Sequence, residues 1–236
     1  MTSTPLKTSD ISIIIAALNE ADNISPLAAS CADHDGEIIL VDGGSTDDTV
    51  ALAQNHGFMT LAGVRGRAAQ MNHGAAHAAG AILLFMHADT RLPENFAAPL
   101  LSNLNRPDTA LCAFSLAIDG ASPLLRLIGW GATLRSRWLQ LPYGDQCLAI
   151  RAPLFNRLGG FADMAIMEDY EFVRRAARLG AVVTLPQRAR TSARRWHRVG
   201  ILRTTIINQL VVIGYNMGVS TDKLALLYRR GLIGKK

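Results

Sequence analysis

Val41-Asp42-Gly43-Gly44-Ser45-Thr46-Asp47-Asp48-Thr49 joins an apolar run of strand length to a helix start through one carboxylate and two glycines. Residues 38–41 suit a buried strand, the glycines reach backbone angles closed to other residues, and residues 45–48 carry N-cap chemistry. Asp42 therefore falls at the carboxyl end of a strand, where open α/β sheets bind ligands. Alone, the string fits a nucleotide cradle and a purely structural strand-turn-helix corner equally well.

The chain on either side repeats the pattern. Residues 11–17 read as a buried strand, followed by the turn Asn19-Glu20-Ala21-Asp22-Asn23 and a helix with Pro26 in its first turn. A helix over 46–56, a short strand over 58–62, an alanine-rich helix over 67–79 closed by Gly80 and a strand over 81–86 follow. Strands alternating with helices at this pitch predict an α/β fold with parallel pairing and right-handed crossovers. Beyond residue 106 the rhythm loosens: a strand over 110–118, a helix from Ser122-Pro123 to about 140, a strand over 147–150, a helix over 168–179 and a last strand over 181–185.

The 236 residues, 49% of them hydrophobic, are enough for one α/β domain with an appended segment. Cys31, Cys112 and Cys147 form neither a disulfide framework nor a zinc spacing, and no apolar h-region precedes Ile11, so a reducing, cytoplasmic setting is expected. The net charge of +5 is unevenly spread: residues 1–118 hold 5 Lys/Arg against 12 Asp/Glu, and residues 119–236 hold 19 against 7. The basic half suits an anionic surface, a diphosphate between the halves or a solubilising exterior, and the absence of a nucleic-acid motif ranks RNA and DNA low.

Residues 199–219 are apolar but carry Arg203, Asn208, Gln209 and Asn216, a poor composition for a membrane span. The segment reads as a helix packed on the domain, on a second copy in a homodimer, or along a bilayer interface at the inner face of the membrane. Arg194, Arg195, Arg198, Arg229, Arg230, Lys235 and Lys236 would serve anionic head groups there. The organisation expected is a domain over 1–198, with halves at about 10–106 and 107–198, and a helical segment over 199–236.

Asp89, in Met86-His87-Ala88-Asp89-Thr90, stands past the end of the strand 81–86 and shares the ligand edge with Asp42. A carboxylate there suits Mg²⁺ or Mn²⁺ held against a diphosphate, and the competing reading is a cap for the helix near Pro93. His87, a lone histidine at a strand end, reads first as structural, as does His197.

Ala17-Leu18-Asn19-Glu20, Val41-Asp42-Gly43-Gly44-Ser45-Thr46-Asp47, Gly66-Arg67-Ala68-Ala69-Gln70-Met71-Asn72 and His87-Ala88-Asp89 together resemble a family 2 glycosyltransferase with the GT-A fold. The strings His-Ala-Asp-Thr, Tyr-Gly-Asp-Gln at 143–146 and Arg-Arg-Trp at 194–196 are similar to a small bacterial subgroup associated with radical-SAM and selenodomain proteins. The resemblance covers about residues 10–200. It implies a mostly parallel, Rossmann-like sheet flanked by helices. It also implies an inverting transfer from a nucleotide-diphosphate sugar, with UDP the expected nucleotide, to a small or lipid-linked acceptor.

By that resemblance, Ala17, Asn19, Glu20, Asp42, Gly43, Gly44, Arg67, Gln70, Asn72 and Ala88 hold the nucleotide sugar, and Asp89 binds Mn²⁺ or Mg²⁺. Glu168-Asp169 supplies the general base, Asp169 being the preferred member, although favourable charge at a helix N-terminus accounts for an acidic pair without catalysis. Asp145 orients the acceptor or forms a turn, Arg194 and Arg195 stabilise the leaving diphosphate, and Trp196 stacks on a sugar. Two departures stand out. His87 replaces the first acid of the family's Asp-x-Asp, which unsettles metal dependence, and Ser192 replaces the glutamine of Gln-x-x-Arg-Trp, which argues against a processive polymerase. The alternatives are a nucleotidyltransferase, for which the Gly-rich basic loop after the first strand is missing, and a nucleotide-sugar or lipid-head-group binding protein without turnover. No Gly-x-Gly-x-x-Gly supports a dinucleotide enzyme.

Overall fold

The computed structural model describes residues 6–232; residues 1–5 and the expected head-group ligands Lys235 and Lys236 lie outside them. The first half alternates strands and helices as β1 (Ile11–Ala17), α1 (Ala21–Ser30), β2 (Ile38–Asp42), α2 (Thr49–Asn55), β3 (Met59–Leu61), α3 (Arg67–His77) and β4 (Ile82–His87). A two-residue β5 (Thr90–Arg91), α4 (Ala97–Leu104), β6 (Thr109–Ile118), α5 (Pro123–Leu139), β7 (Leu148–Arg151), α6 (Ala152–Leu158), α7 (Glu168–Ala176) and β8 (Ala181–Thr191) follow. The chain closes with α8 (Arg194–Val199), α9 (Ile201–Asn216) and α10 (Thr221–Leu232).

The eight strands among the described residues form one sheet in the order β3-β2-β1-β4-β7-β6-β8-β5. The β3, β2, β1 and β4 neighbours pair in parallel, as the alternation predicts, while β7 runs antiparallel to both β4 and β6. Strand periodicity divides the core between the two faces. Ile11, Ile13 and Ile15 of β1 and Ile82, Leu84 and Met86 of β4 pack against α1, α2 and α4. Ile14, Leu83 and Phe85 point the other way, into a cluster with α3, α6 and α7 built on Phe155, Phe161 and Phe172. Residues 38–41 are apolar throughout because both faces of β2 are covered.

Three elements differ from expectation. The helix foreseen from residue 46 starts at Thr49, because residues 46–48 are drawn into the loop: the Asn19 Oδ1 accepts from the Thr46 N–H at 2.8 Å, and Asp47 accepts from the Ala21 N–H and from the hydroxyl and N–H of Thr49. Pro26 lies in the second turn of α1, not the first. The last strand does not stop at Leu185. It passes the extra residues Pro186 and Gln187, where the register against β6 shifts between Phe114 and Ser115, and continues to Thr191. A bulge accommodates a proline without an N–H and bends the strand. That bend carries the far end of β8 onto β5, so Thr191 pairs with Thr90 and Arg190 with Arg91, and the Ser192 N–H donates to the Asp89 carbonyl at 3.0 Å. The sheet thereby curls around the loop that bears His87 and Asp89.

Helix α3 lies close on β1 and β2 because Gly74 has no side chain: a Cβ there would stand 2.5 Å from Ile14 Cγ2 and 3.1 Å from Val41 Cγ2. Both neighbours are β-branched and stiff. A Gly74→Ala variant is expected to lose about 1–3 kcal/mol of stability by overpacking, despite alanine's better helix propensity, as a lowered midpoint in denaturant unfolding.

Candidate active site

The carboxyl ends of β1 and β2 are open, and the side chain of Gln70 on α3 holds them together. Its buried amide donates to the Ala17 carbonyl at 2.9 Å, which also accepts from the Gly43 N–H, and to the Val41 carbonyl at 2.7 Å. Gly43 passes under this amide, where a Cβ would come within 3.1 Å of it. Asp42 is 6% exposed, and its carboxylate accepts from the Gly44 N–H at 2.9 Å and the Ser45 N–H at 3.0 Å, so the turn's own amides satisfy part of its hydrogen-bonding capacity. Gly44 has φ +96°, a conformation natural to glycine.

A cleft of about 560 Å³ opens beside this edge. Ala17, Glu20, Arg67, Gln70, Ala88 and Asp89 line it from the first half, and Asp145, Glu168, Asp169, Arg194, Arg195 and Trp196 from the second. Twelve of the residues singled out in the sequence thus converge on one cavity. Five do not line it: Asn19, Asp42, Gly43 and Gly44 build the turn behind its edge, and Asn72 faces away. Asn72 exchanges a pair of hydrogen bonds, each 2.8 Å, with the backbone of Phe161 and so anchors the loop before α7. His197 is exposed and also lies outside the cleft. Another concavity, of about 620 Å³, lies at the amino ends of β2 and β3 around His34 and His56, away from the convergent acids.

The acids in the cleft are differentiated. Glu168 is 2% exposed and pairs with Arg67 at 3.1 Å; burial pushes its carboxyl up, while Arg67 pulls it back. Burial opposes the charge of Arg67, but Glu168 and Asp169 more than offset that and raise its pKa. Glu168 is therefore committed to an ion pair that joins α3 to α7. Asp169, next along, lines the cleft and accepts from the Gly144 N–H and the Tyr170 N–H, each at 2.7 Å. Gly144 permits this approach, since a Cβ there would stand 2.8 Å from His87 Nε2 and 3.2 Å from Asp169 Oδ2.

His87 Nε2 is buried and has no hydrogen-bond partner among the described residues. Burial, reinforced by Arg67 and Arg195, holds the imidazole well below its ordinary pKa, so it is neutral and offers a lone pair. Asp145 Oδ1 is likewise unpartnered, and burial, with Asp169 and Asp89 adding to it against Arg135 and Arg195, pushes this carboxyl up to about 6. Among the described residues no three His, Cys, Asp or Glu side chains form a ready-made cation cage. The donor set still fits a divalent ion that takes its remaining ligands from a diphosphate: a carboxylate at Asp89 and a neutral, unpaired imidazole at His87.

Arg194 reaches across the mouth to Glu20, donating at 2.7 and 2.9 Å to its two oxygens. Trp196 is packed among Leu116, Ile118 and Leu125, and its Nε1–H has no partner among the described residues. Sequence reasoning missed Tyr143, the strap Met164–Met167, and the wall contributed by α9 and α10 through Asn208, Val212, Tyr228 and Arg229. Arg195 donates to the Tyr228 hydroxyl and so holds α10 over the cleft. The signal available was the spacing of Leu224, Ala225 and Tyr228, which gives α10 an inward face.

The curled α/β sheet, with its cleft at the strand ends flanked by acids and arginines, defines a glycosyltransferase of GT-A architecture. The family model described as glycosyl transferase family 2 matches residues 12–153, and the chain belongs to that family. An uncharacterised glycosyltransferase of Mycobacterium tuberculosis is 29% identical over 211 residues, covering 78% of this chain and 74% of its own. Among solved structures, S. aureus TarS 1-349 in complex with UDP-GlcNAc superposes with a TM-score of 0.60 at 18% identity, over 77% of this chain and 58% of that one. Glucosyl-3-phosphoglycerate synthase from M. tuberculosis, in complex with Mn²⁺, UDP and glucosyl-3-phosphoglycerate, gives 0.52 at 22% identity over 75% and 70%.

With the Asp145 carboxyl held at about 6 in the folded state, stability is lost as pH rises from the ordinary carboxylate range to about 6 and stays lost above it. An Asp145→Asn variant is expected to melt at a higher temperature than the parent at about pH 7.5, with the difference closing below about pH 4, where the acid is protonated in both states. Calorimetric melts at the two pH values check it.

Proposed function

We propose that the protein transfers a sugar from a UDP-sugar to a hydroxyl acceptor with inversion at the anomeric carbon, and that Asp169 is the general base. The observation that carries this reading is the division of labour within Glu168-Asp169: one carboxylate is spent on Arg67, and the other lines the cleft. The Gly144 and Tyr170 amides fix the orientation of Asp169 and leave it an unpaired lone pair for an acceptor proton. Removing that proton as the acceptor oxygen attacks, on the face away from the leaving diphosphate, is the step a positioned carboxylate accelerates.

The remaining residues bind and orient. Glu20, in the turn after β1, lines the cleft where ribose hydroxyls or a base N–H would find an acceptor, and Asp42 shapes the neighbouring turn after β2. Arg195, with Arg194 once it lets go of Glu20, places guanidinium charge beside the departing diphosphate. Asp89 and neutral His87 would hold Mn²⁺ or Mg²⁺, which when bound supplies positive charge against the same diphosphate. Met164–Met167 and Trp196 supply apolar walls that keep water from the reacting centre.

Incubation with a panel of UDP-sugars, Mn²⁺ and mixed acceptors is expected to release UDP. An Asp169→Asn variant should lose about 10²–10⁴-fold in transfer rate while binding UDP as the parent does in calorimetric titration. Retention of the parent rate would remove Asp169 from the role of base.

A further inference from the structure

We infer that α9 and α5 form a docking face for an anionic bilayer surface, beside the mouth of the cleft. Helix α9 is apolar on both sides. Thr204, Ile207 and Val211 are buried against the body, whereas Leu202, Ile206, Leu210, Ile213 and Met217 form one stripe along the opposite side and are 49–78% exposed. Residues 204–216 contain no charge. An exposed apolar stripe of that length calls for an apolar setting that the described residues do not supply.

Helix α5 continues the face. Ile201, at the start of α9, and Ile128 and Ala132, on the inner side of α5, pack against one cluster of Leu116, Leu125 and Trp196, so the two helices cover the same part of the core. The outer side of α5 carries Leu127, Trp130 and Trp138, exposed by 58%, 62% and 79%. Exposed tryptophans beside an aliphatic stripe suit the head-group level of a bilayer, where one edge of the indole is wet and the other is not.

Charge selects the occupant. Outside the cleft the C-terminal helices carry Arg198, Lys223 and Arg230 against the single acid of residues 194–232, Asp222, and Arg126 and Arg137 belong to α5. A second copy would set two like-charged faces against each other, whereas anionic lipid complements them. No helix among the described residues is long and apolar enough to cross a membrane, so α9 would lie in the plane of the interface. Asn208 and Val212 line the cleft from the side of α9 away from the exposed stripe, so a docked α9 lies between the lipid surface and the cleft. The docking stands apart from the transfer reading, and the two are measured separately.

The full chain is mixed with sedimentable vesicles of phosphatidylcholine alone or with phosphatidylglycerol added. Co-sedimentation is expected with the anionic vesicles, weakened but not abolished by salt, together with a blue shift of tryptophan emission. Ile206→Glu combined with Ile213→Glu should weaken vesicle binding at least tenfold, with circular dichroism and UDP titration unchanged, and Trp138→Ala should weaken it less. Failure of the parent to sediment with anionic vesicles overturns the inference. So does undiminished binding by the double variant, or light scattering that shows a dimer dispersed by the same two substitutions. Vesicle binding without UDP binding would instead overturn the transfer reading and leave the docking intact.

Discussion

A carboxylate buried to 2% exposure does not persist unless a cation meets it, and the contact between Glu168 and Arg67 is the constraint on which the cleft depends. It ties the start of α7, in the irregular half of the chain, to the start of α3, in the regular half. Once Glu168 is fixed, the helix geometry turns Asp169 toward Gly144 and His87. The pair also settles which of two adjacent acids is available to substrate, a distinction that the dipeptide alone does not contain. Removing Arg67 would strand a buried charge, and removing Glu168 would release a guanidinium into the anion-binding region of the cleft.

The first half of the molecule is legible in the sequence because its signals are local. Continuous apolar runs mark strands covered on both faces, and each is followed within a few residues by turn chemistry and a helix. The carboxyl-end position of Asp42 and Asp89 follows from that alternation alone. What the sequence hides is the use to which polar residues are put. Asn19, Asn72 and Gln70 belong to motif strings and read as ligand contacts, yet all three are occupied with backbone groups: Asn19 joins two loops, Asn72 anchors Phe161 and Gln70 clips two strand ends. A side-chain amide offers a donor and an acceptor together, so it suits such cross-links as well as it suits a ligand, and only the fold decides between them.

The second half resists reading for a different reason. Its strands are antiparallel or bulged, its order in the sheet departs from its order in the chain, and Pro186 looks like a strand end when it is a bend. His87 illustrates the same limit. A lone histidine at a strand end is ordinarily structural, and its unpartnered nitrogen emerges only when Arg67, Arg195 and Gly144 are brought around it from distant segments. The C-terminal helices, which composition sets apart as a separate segment, form a wall of the cleft through Tyr228 and Arg229.

The pairing of β5 with the far end of β8 has a consequence for biosynthesis. The loop bearing Asp89 is held by Thr191 and Ser192, and these emerge from a ribosome only after most of the chain. The nascent protein can assemble β1 to β4 and their helices early, from contacts close in sequence, while its acidic loop still lacks the strand that shapes it. Catalytic competence is thus deferred until the sheet curls shut. A ribosome that stalls before β8 leaves a partly folded nucleotide-binding layer with an open edge, a form better suited to capture by a chaperone than to premature chemistry.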